Sequence, residues 1–196
     1  MSVPDYPKPV LGIAAFSGTG KTQLITQLIP LLAQSGLRVA VIKHTHHDID
    51  IDKPGKDSYA MRQAGASPVI LASDKRIALV IEKPQPAATH ISELLNLINP
   101  DQVDLILVEG YKDLDFDKLF LFRHAIKGRY QNLDQDVCRI MNKQSTLAIV
   151  SDLEAKQLTD CLTTRKPLIN INDLNSLKRF ILNYCNHPVS TENPND

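Results

Sequence analysis

The sequence predicts an α/β fold, in which a mostly parallel β-sheet is flanked by helices. Short apolar runs of strand length alternate with segments of helical spacing along the chain. The first run, at 10–16, ends in a glycine-containing loop, and a helix over 21–35 and a second apolar run at 37–43 follow it. A strand, a helix and a strand in this order form a βαβ unit with a right-handed crossover, which is typical of a parallel sheet.

The remaining elements follow from the same patterns and from the turn residues between them. Further strands are predicted at 104–109, 119–123, 146–151 and 168–171, a β-hairpin at 69–72 and 77–81, and helices over 57–64, 91–98 and 173–184. Pro30 lies inside the first helix and is expected to kink it, because its ring displaces a carbonyl of the preceding turn. No internal repeat divides the chain, so we expect one domain over 1–185, with a β-hairpin extension, and a flexible tail at 186–196.

Composition and charge limit the classes of partner. The 22 Lys and Arg residues balance 22 Asp and Glu residues, and this zero net charge argues against non-specific binding to nucleic acid or to acidic membranes. No apolar run approaches the roughly 18 residues that a bilayer-spanning helix needs. Residues 1–9 lack the apolar core of a signal peptide. Cys138, Cys161 and Cys185 are widely spaced, and we predict that they are reduced thiols of a cytoplasmic protein.

Residues 15–22, AFSGTGKT, have the composition of a phosphate-binding loop. Such a loop aims several backbone N–H groups at one point in front of a helix N-terminus, and it adds one fixed cation. The residues predicted to wrap a β-phosphate are Ser17, Gly18, Thr19 and Gly20. Lys21 is predicted to reach the β- and γ-oxygens, and the Thr22 hydroxyl to ligate Mg²⁺. The strand before this segment and the helix after it favour a P-loop NTPase-like fold over a glycine-rich turn that only caps a helix.

The apolar run at 104–109 ends in an acid, Glu109, as a Walker B strand does. An acid at the C-terminal end of such a strand faces the Mg²⁺ that Thr22 would hold, directly or through water. Lys21 and Glu109 are therefore the candidate catalytic residues, and Thr22 and Glu109 are the candidate metal ligands.

A polar loop rich in histidine and aspartate follows the second predicted strand, beside the expected nucleotide pocket. Its candidate ligand residues are Lys43, His44, His46, His47, Asp48, Asp52, Lys56 and Asp57. Three interpretations are open: a solvated polar loop, a transition-metal site formed by the three histidines, or a loop that binds an anion and is linked to Mg²⁺. The position of the loop favours the third.

Three segments together resemble the MobB family, the molybdopterin-guanine dinucleotide biosynthesis proteins B. They are AFSGTGKT at 15–22, VIKHTHHDIDIDKPGKDSY at 41–59 and DLILVEGYK at 104–112, and the resemblance extends from about residue 11 to 173. The family accepts alanine at position 15, where the general phosphate-loop pattern has glycine. The resemblance implies a protein that binds GTP and Mg²⁺ and has weak GTPase activity. It also implies a homodimer with an adapter role in molybdenum cofactor biosynthesis, beside the molybdopterin guanylyltransferase that attaches GMP to molybdopterin.

Two other function classes remain open at this stage. A small-molecule kinase could use the same phosphate loop, but it would usually add an arginine-rich lid, whereas Arg123 and the other arginines are scattered along this chain. A metallochaperone with GTP-driven release could use the histidines at 44–47.

The residues that would read the base are less obvious, because the N-K-x-D segment of classical GTPases is absent. Asp152 follows the predicted strand at 146–151, where its carboxylate could accept from guanine N1–H and from the 2-amino group. Residues 170–173 are a second candidate. For Asp152 and Asp173 alike, the alternative is a turn role, since Asp commonly caps a helix.

Overall fold

The computed structural model describes residues 6–45, 52–83, 85, 88–123, 135–158, 161–163 and 165–186 of the 196-residue chain. The chain divides into two compact units, one formed by Met1–His44 with Ile91–Asp196 and the other by Thr45–His90. In the part of the chain that the structure describes, no helix is long and apolar enough to cross a bilayer. Residues 187–196, most of the predicted tail, lie outside that part.

The central sheet lies in the first unit. The described strands are β1 (Val10–Ala14), β2 (Val39–Lys43), β3 (Val69–Ser73), β4 (Arg76–Val80), β5 (Leu105–Glu109), β6 (Lys118–Phe122), β7 (Thr146–Ser151) and β8 (Leu168–Asn170). Six of them form one sheet in the order β2-β5-β1-β6-β7-β8, and all neighbours in it are parallel. β3 and β4 form a separate antiparallel hairpin. The predicted α/β fold, with a mostly parallel sheet and a β-hairpin extension, is confirmed.

Helices connect most of these strands. They are α1 (Lys21–Gln34), α2 (Asp57–Gln63), α3 (Ile91–Leu95), α4 (Gln135–Asn142) and α5 (Leu174–Asn186), with short 3₁₀ helices at Pro100–Gln102 and Ala155–Gln157. α1 is assigned without a break through Pro30, and the expected kink stays a prediction. The sequence did not predict α4, because its eight residues bury only three apolar side chains, too short a pattern to separate from a loop.

Two predicted boundaries are wrong for identifiable reasons. The strand predicted at 37–43 begins at Val39, because the Leu37 N–H still donates to Leu32 O, 3.2 Å away, and so closes the end of α1. The helix predicted over 91–98 ends at Leu95. A separate 3₁₀ helix follows at Pro100–Gln102, and it is capped by the Asn99 side chain, which accepts from the Asp101 N–H at 3.0 Å.

The core forms on both faces of the sheet, because alternate residues of each strand point to opposite sides. On one face, side chains such as Leu11 and Leu107 pack against the apolar stripe of α1, which includes Leu28, and against α5. On the other face, Phe120 and its neighbours pack against α4, and a further cluster, which includes Ile106, packs against α3. The sheet is thus the middle of three layers, and its carboxyl edge is left for the loops.

The second unit contains α2 and the β3–β4 hairpin. Within it, Arg62 forms an ion pair with Asp52, at 3.4 Å, and another with Glu82. One face of the hairpin carries Ile70 paired with Leu79 and Ala72 paired with Ile77, so that face is wholly apolar. Ile70 is 63% exposed and Ile77 is 75% exposed.

The prediction that all three cysteines are reduced thiols is wrong for two of them. Cys138 on α4 forms a disulfide with Cys161, across a Cα–Cα distance of 4.9 Å. The two residues are 23 positions apart and meet because the segment after β7 packs against α4, where the Asn142 amide donates to both cysteine carbonyls. Spacing along the chain does not reveal such a pair. Cys185 is free, and burial raises the pKa of its thiol to about 11.

Candidate functional site

The predicted phosphate loop joins the carboxyl end of β1 to the N-terminus of α1. Gly18 has φ of +77° and Gly20 has φ of +94°, a left-handed backbone that favours glycine at both positions. Thr19 is only 2% exposed, and its hydroxyl donates to Phe16 O at 2.6 Å. The buried Thr19 side chain therefore stabilises the turn through its hydrogen bond, while the two glycines leave loop backbone accessible.

Lys21, the first residue of α1, reaches back over this loop. Its ammonium donates to Ala15 O at 3.1 Å and to Phe16 O at 2.9 Å. Burial lowers the pKa of Lys21, and the charges of Lys43 and Lys112 lower it further, while Glu109 opposes the shift. Positive charge is thus crowded at the loop, which is the condition under which a bound anion is most stabilising.

Thr22 and Glu109 meet at the carboxyl ends of β1 and β5. The Thr22 hydroxyl donates to the Glu109 carboxylate, whose oxygens lie 3.0 and 3.1 Å away. Glu109 is 8% exposed and lies opposite Ile13 of β1 on one side and Lys43 of β2 on the other. A hydroxyl and a carboxylate this close form the hard oxygen donor set that Mg²⁺ prefers.

Lys43 completes this cluster from β2. Its ammonium lies 3.6 Å from the Glu109 carboxylate and 3.4 Å from the Thr22 hydroxyl oxygen. The side chain of Lys43 is 56% exposed.

A cleft of about 400 Å³ opens above Lys21 and Thr22, bounded by Ser17, Gly18 and Gly20 of the loop, by Gln23 and by Glu109. That volume falls in the range of small-molecule sites.

His44 is the first residue of the histidine loop, and it is held firmly at the end of β2. Its N–H donates to Glu109 O at 2.9 Å, and its ring lies 4.2 Å from the Tyr111 ring at an angle of 32°. Gly110 allows this approach, because a Cβ there would lie 3.0 Å from the His44 Cβ. Tyr111 itself has φ of +49°, which is uncommon for a residue with a side chain.

The rest of the predicted ligand loop is only partly described. His46, His47 and Asp48 lie outside the described residues, so the proposed metal role of the histidines stays a prediction. Asp52 accepts from the Ser58 hydroxyl at 3.0 Å within the second unit. Lys56 precedes α2 and Asp57 begins it. No cluster of three His, Cys, Asp or Glu side chains suited to a metal ion occurs among the residues that the structure describes.

Asp152 directly follows β7, and it forms an ion pair with Arg123, which directly follows β6. The Arg123 Nε lies 3.3 Å from the Asp152 carboxylate. The guanidinium also reaches the phosphate loop, since its Nη1 would lie 3.5 Å from a Cβ built on Gly20. From its position in the sequence alone Arg123 is one of several scattered arginines, because chain order does not reveal that β1, β6 and β7 are neighbours in the sheet.

Residues 170–173, the second candidates for the base, form a turn before α5. Asn170 accepts from the Asn172 N–H at 2.9 Å. The Asp173 carboxylate accepts from the Ser176 N–H at 3.0 Å and from its hydroxyl at 2.6 Å, and these bonds lower the pKa of Asp173. Asp173 thus has the contacts of a helix cap.

Two lysines near the phosphate loop were not predicted from the sequence. The Lys112 ammonium lies 4.6 Å from the centre of the Phe16 ring. Lys118 is fully buried in β6 and donates to the carbonyls of Lys112 and Leu114. Lys118 thereby holds the turn that carries Lys112 toward the phosphate loop. A lysine within the apolar run of β6 is the one signal that could have drawn attention to it.

Comparison with known proteins identifies a family. The model of the family described as molybdopterin guanine dinucleotide synthesis protein B, MobB, matches residues 10–152. The chain is 40% identical over 176 residues to the molybdopterin-guanine dinucleotide biosynthesis adapter protein of Escherichia coli K12, which covers 90% of this chain and 93% of that protein. The protein of the same name from Haemophilus influenzae is 36% identical over 179 residues, 91% of this chain and 90% of that protein.

Solved structures agree on the fold. A MobB homologue from Bacillus stearothermophilus superimposes with a TM-score of 0.64 at 19% identity, covering 90% of this chain and 97% of that one. MobB from Bacillus subtilis superimposes with a TM-score of 0.63 at 20% identity, covering 89% and 96%. The structural likeness establishes the architecture, and the sequence matches establish the relationship. The chain belongs to the MobB family.

Proposed function

We propose that this protein binds GTP with Mg²⁺ at the loop of residues 15–22 and acts as an adapter in the formation of molybdopterin guanine dinucleotide. The observation that carries the proposal is the meeting of Lys21, Thr22 and Glu109 at one edge of the sheet. The 40% identity to an E. coli protein named as an adapter of that pathway supports the biological role. This relationship favours the adapter over the kinase and metallochaperone alternatives.

Binding of the phosphate groups would replace hydrogen bonds that already exist within the loop. The Lys21 ammonium donates to two loop carbonyls, and in the complex it would donate to phosphate oxygens instead. Backbone N–H groups at the start of α1 and the helix dipole add to this attraction. Mg²⁺, when bound, would be held by the Thr22 hydroxyl and Glu109, and it would neutralise part of the phosphate charge.

Hydrolysis is proposed to be slow in the isolated protein, as an adapter role requires. Glu109 accepts from Thr22 and lies beside Lys43, so it serves the metal side of the site. P-loop GTPases without an assisting partner turn over at about 10⁻⁴ to 10⁻² s⁻¹. We expect this protein to fall in that range.

We also propose that the protein is a homodimer and that it associates with the molybdopterin guanylyltransferase. The apolar face of the β3–β4 hairpin supports the first of these. Ile70 and Ile77 are largely exposed on that face, and exposed contiguous apolar surface is typical of protein interfaces. A two-stranded hairpin is also marginally stable alone, so a partner surface would stabilise it.

Replacement of Lys21 by alanine tests the phosphate loop. The change removes a charge-assisted contact of about 1.5–3 kcal/mol, so GTP affinity should fall roughly 10- to 150-fold. Affinity is measured by competition against a fluorescent GTP analogue. Lys178→Ala, a lysine of helix α5, is the matched control and should bind GTP normally. Unchanged GTP affinity in a folded Lys21→Ala variant would refute the proposed loop.

Replacement of Glu109 by glutamine tests the metal side. The neutral amide attracts Mg²⁺ less, and Mg²⁺-dependent hydrolysis should fall about 10- to 100-fold, the usual loss when a partner of a metal site is removed. GDP affinity should change less than the hydrolysis rate. Single-turnover hydrolysis across a Mg²⁺ titration measures the rate, and competition against a fluorescent GTP analogue measures GDP affinity, with Glu154→Gln as the exposed control. A wild-type rate on the order of 10 s⁻¹ without a partner would contradict the adapter role, since that is typical of a true catalyst.

Replacement of Asp152 by asparagine tests the reading of the base. If Asp152 accepts from guanine N1–H and the 2-amino group, the asparagine amide clashes with guanine but suits the 2-carbonyl of xanthine. The variant should lose GTP affinity and gain relative affinity for xanthosine triphosphate. A disturbed Arg123 would weaken both nucleotides alike, so the ratio of the two affinities isolates the base contact. An unaltered ratio would exclude Asp152 and move the search to 170–173.

A charge on the apolar hairpin face tests the dimer. Ile77→Lys places an ammonium in the proposed interface, where its desolvation is unfavourable, and should weaken dimerisation at least about tenfold. Ala78→Lys adds the same charge to the opposite face of the hairpin and should leave the dimer intact. Sedimentation velocity over a range of concentrations measures the association. A dimer of undiminished affinity in the Ile77→Lys variant would place the interface elsewhere.

A further inference from the structure

Arg123 reaches the phosphate loop from the side opposite to the metal ligands. Its Nη1 would lie 3.5 Å from a Cβ on Gly20, the residue directly before Lys21. Its Nε lies 3.3 Å from the Asp152 carboxylate, and its side chain is 35% exposed. The guanidinium is therefore oriented by a carboxylate, lies against the loop backbone and is still accessible to a ligand.

The order of the strands defines which part of a nucleotide lies nearest. β1 pairs with β5 on one side and with β6 on the other, so Glu109 and Arg123 flank the phosphate loop from opposite sides. With adjacent strands about 4.8 Å apart, the two strand ends are separated by roughly 10 Å. Mg²⁺ in P-loop proteins bridges the β- and γ-oxygens. In a bound nucleotide, Arg123 would therefore lie nearer to phosphate oxygens that the metal does not engage.

The candidates for the base lie farther along the same edge. Asp152 follows β7, the neighbour of β6, and residues 170–173 follow or end β8. If the metal-bound end of the nucleotide lies over β5 and β1 and its base lies over β7 or β8, its α-phosphate lies beside Arg123. We infer that Arg123 binds the α-phosphate of the nucleotide and that Asp152 positions the Arg123 guanidinium. This inference rests on the proposed GTP site.

The chemistry of the guanidinium suits this role. Its N–H donors are arranged in a planar fork, so Nε can stay with Asp152 while the terminal nitrogens donate to phosphate. A lysine at position 123 would offer a single ammonium for both partners. The loop is within reach of the terminal nitrogens, since a Cβ built on Gly20 would lie 3.5 Å from Nη1, an ordinary contact distance.

Arg123→Gln tests the inference, with nucleotides that differ only in their phosphates. Affinities for GTP, GDP and GMP should fall by the same factor, about 10- to 150-fold, because all three carry the α-phosphate. The factor should be unchanged when Mg²⁺ is replaced by EDTA. Guanosine, which has the base and no phosphate, should bind as well as to the wild type. Arg123→Lys should recover part of the loss.

Two controls separate the possible failures. Arg179→Gln removes the same charge from α5, where its guanidinium donates to Ser176, and should bind all ligands normally. Lys21→Ala, measured in parallel, reports on the GTP site itself. A loss in Lys21→Ala without a loss in Arg123→Gln would overturn this inference alone. A loss of affinity confined to GTP in Arg123→Gln would place Arg123 at the γ-phosphate. Weaker binding of guanosine would show an effect through the base. Either result would refute the α-phosphate assignment.

Discussion

The pairing of β1 with β5 on one side and β6 on the other is the constraint on which the site depends. Because these strands are parallel, their carboxyl ends meet at one edge, and each ends in or beside a residue of the site. β5 supplies Glu109, β1 leads into the loop and Lys21, and β6 leads to Arg123. A shift of register between β1 and β5 would displace Glu109 by one residue of rise, about 3.3 Å, and its contact with Thr22 would be lost. A shift between β1 and β6 would displace Arg123 by the same distance.

That arrangement brings three positively charged side chains around the loop, each held by oxygen partners. Lys21 is held by two carbonyls, Lys43 by Glu109 and Arg123 by Asp152. Burial lowers the pKa of Lys21, so its charged form is less favoured here than in water. In the proposed complex, phosphate oxygens would offer this ammonium an opposite charge in place of the two loop carbonyls.

The fold and the core of the site were predictable because their signals are local. The βαβ unit, the loop at 15–22 and the strand ending in Glu109 each occupy a short continuous segment whose pattern carries the information. Arg123 and Asp152 are 29 residues apart, and Cys138 and Cys161 are 23 apart. Their contacts depend on strand order and helix packing, which no local pattern encodes. For Asp173 the local alternative, a helix cap, describes its contacts in the structure.

The residues proposed to bind phosphate and Mg²⁺ lie in the first unit. Lys21, Thr22, Lys43, Glu109 and Arg123 all belong to Met1–His44 or Ile91–Asp196. The hairpin of the second unit exposes apolar side chains that would be costly to leave in water. An adapter needs both a ligand site and a surface for other chains. The proposed ligand site belongs to the first unit and the proposed interface to the second, so each unit would supply one of these two parts.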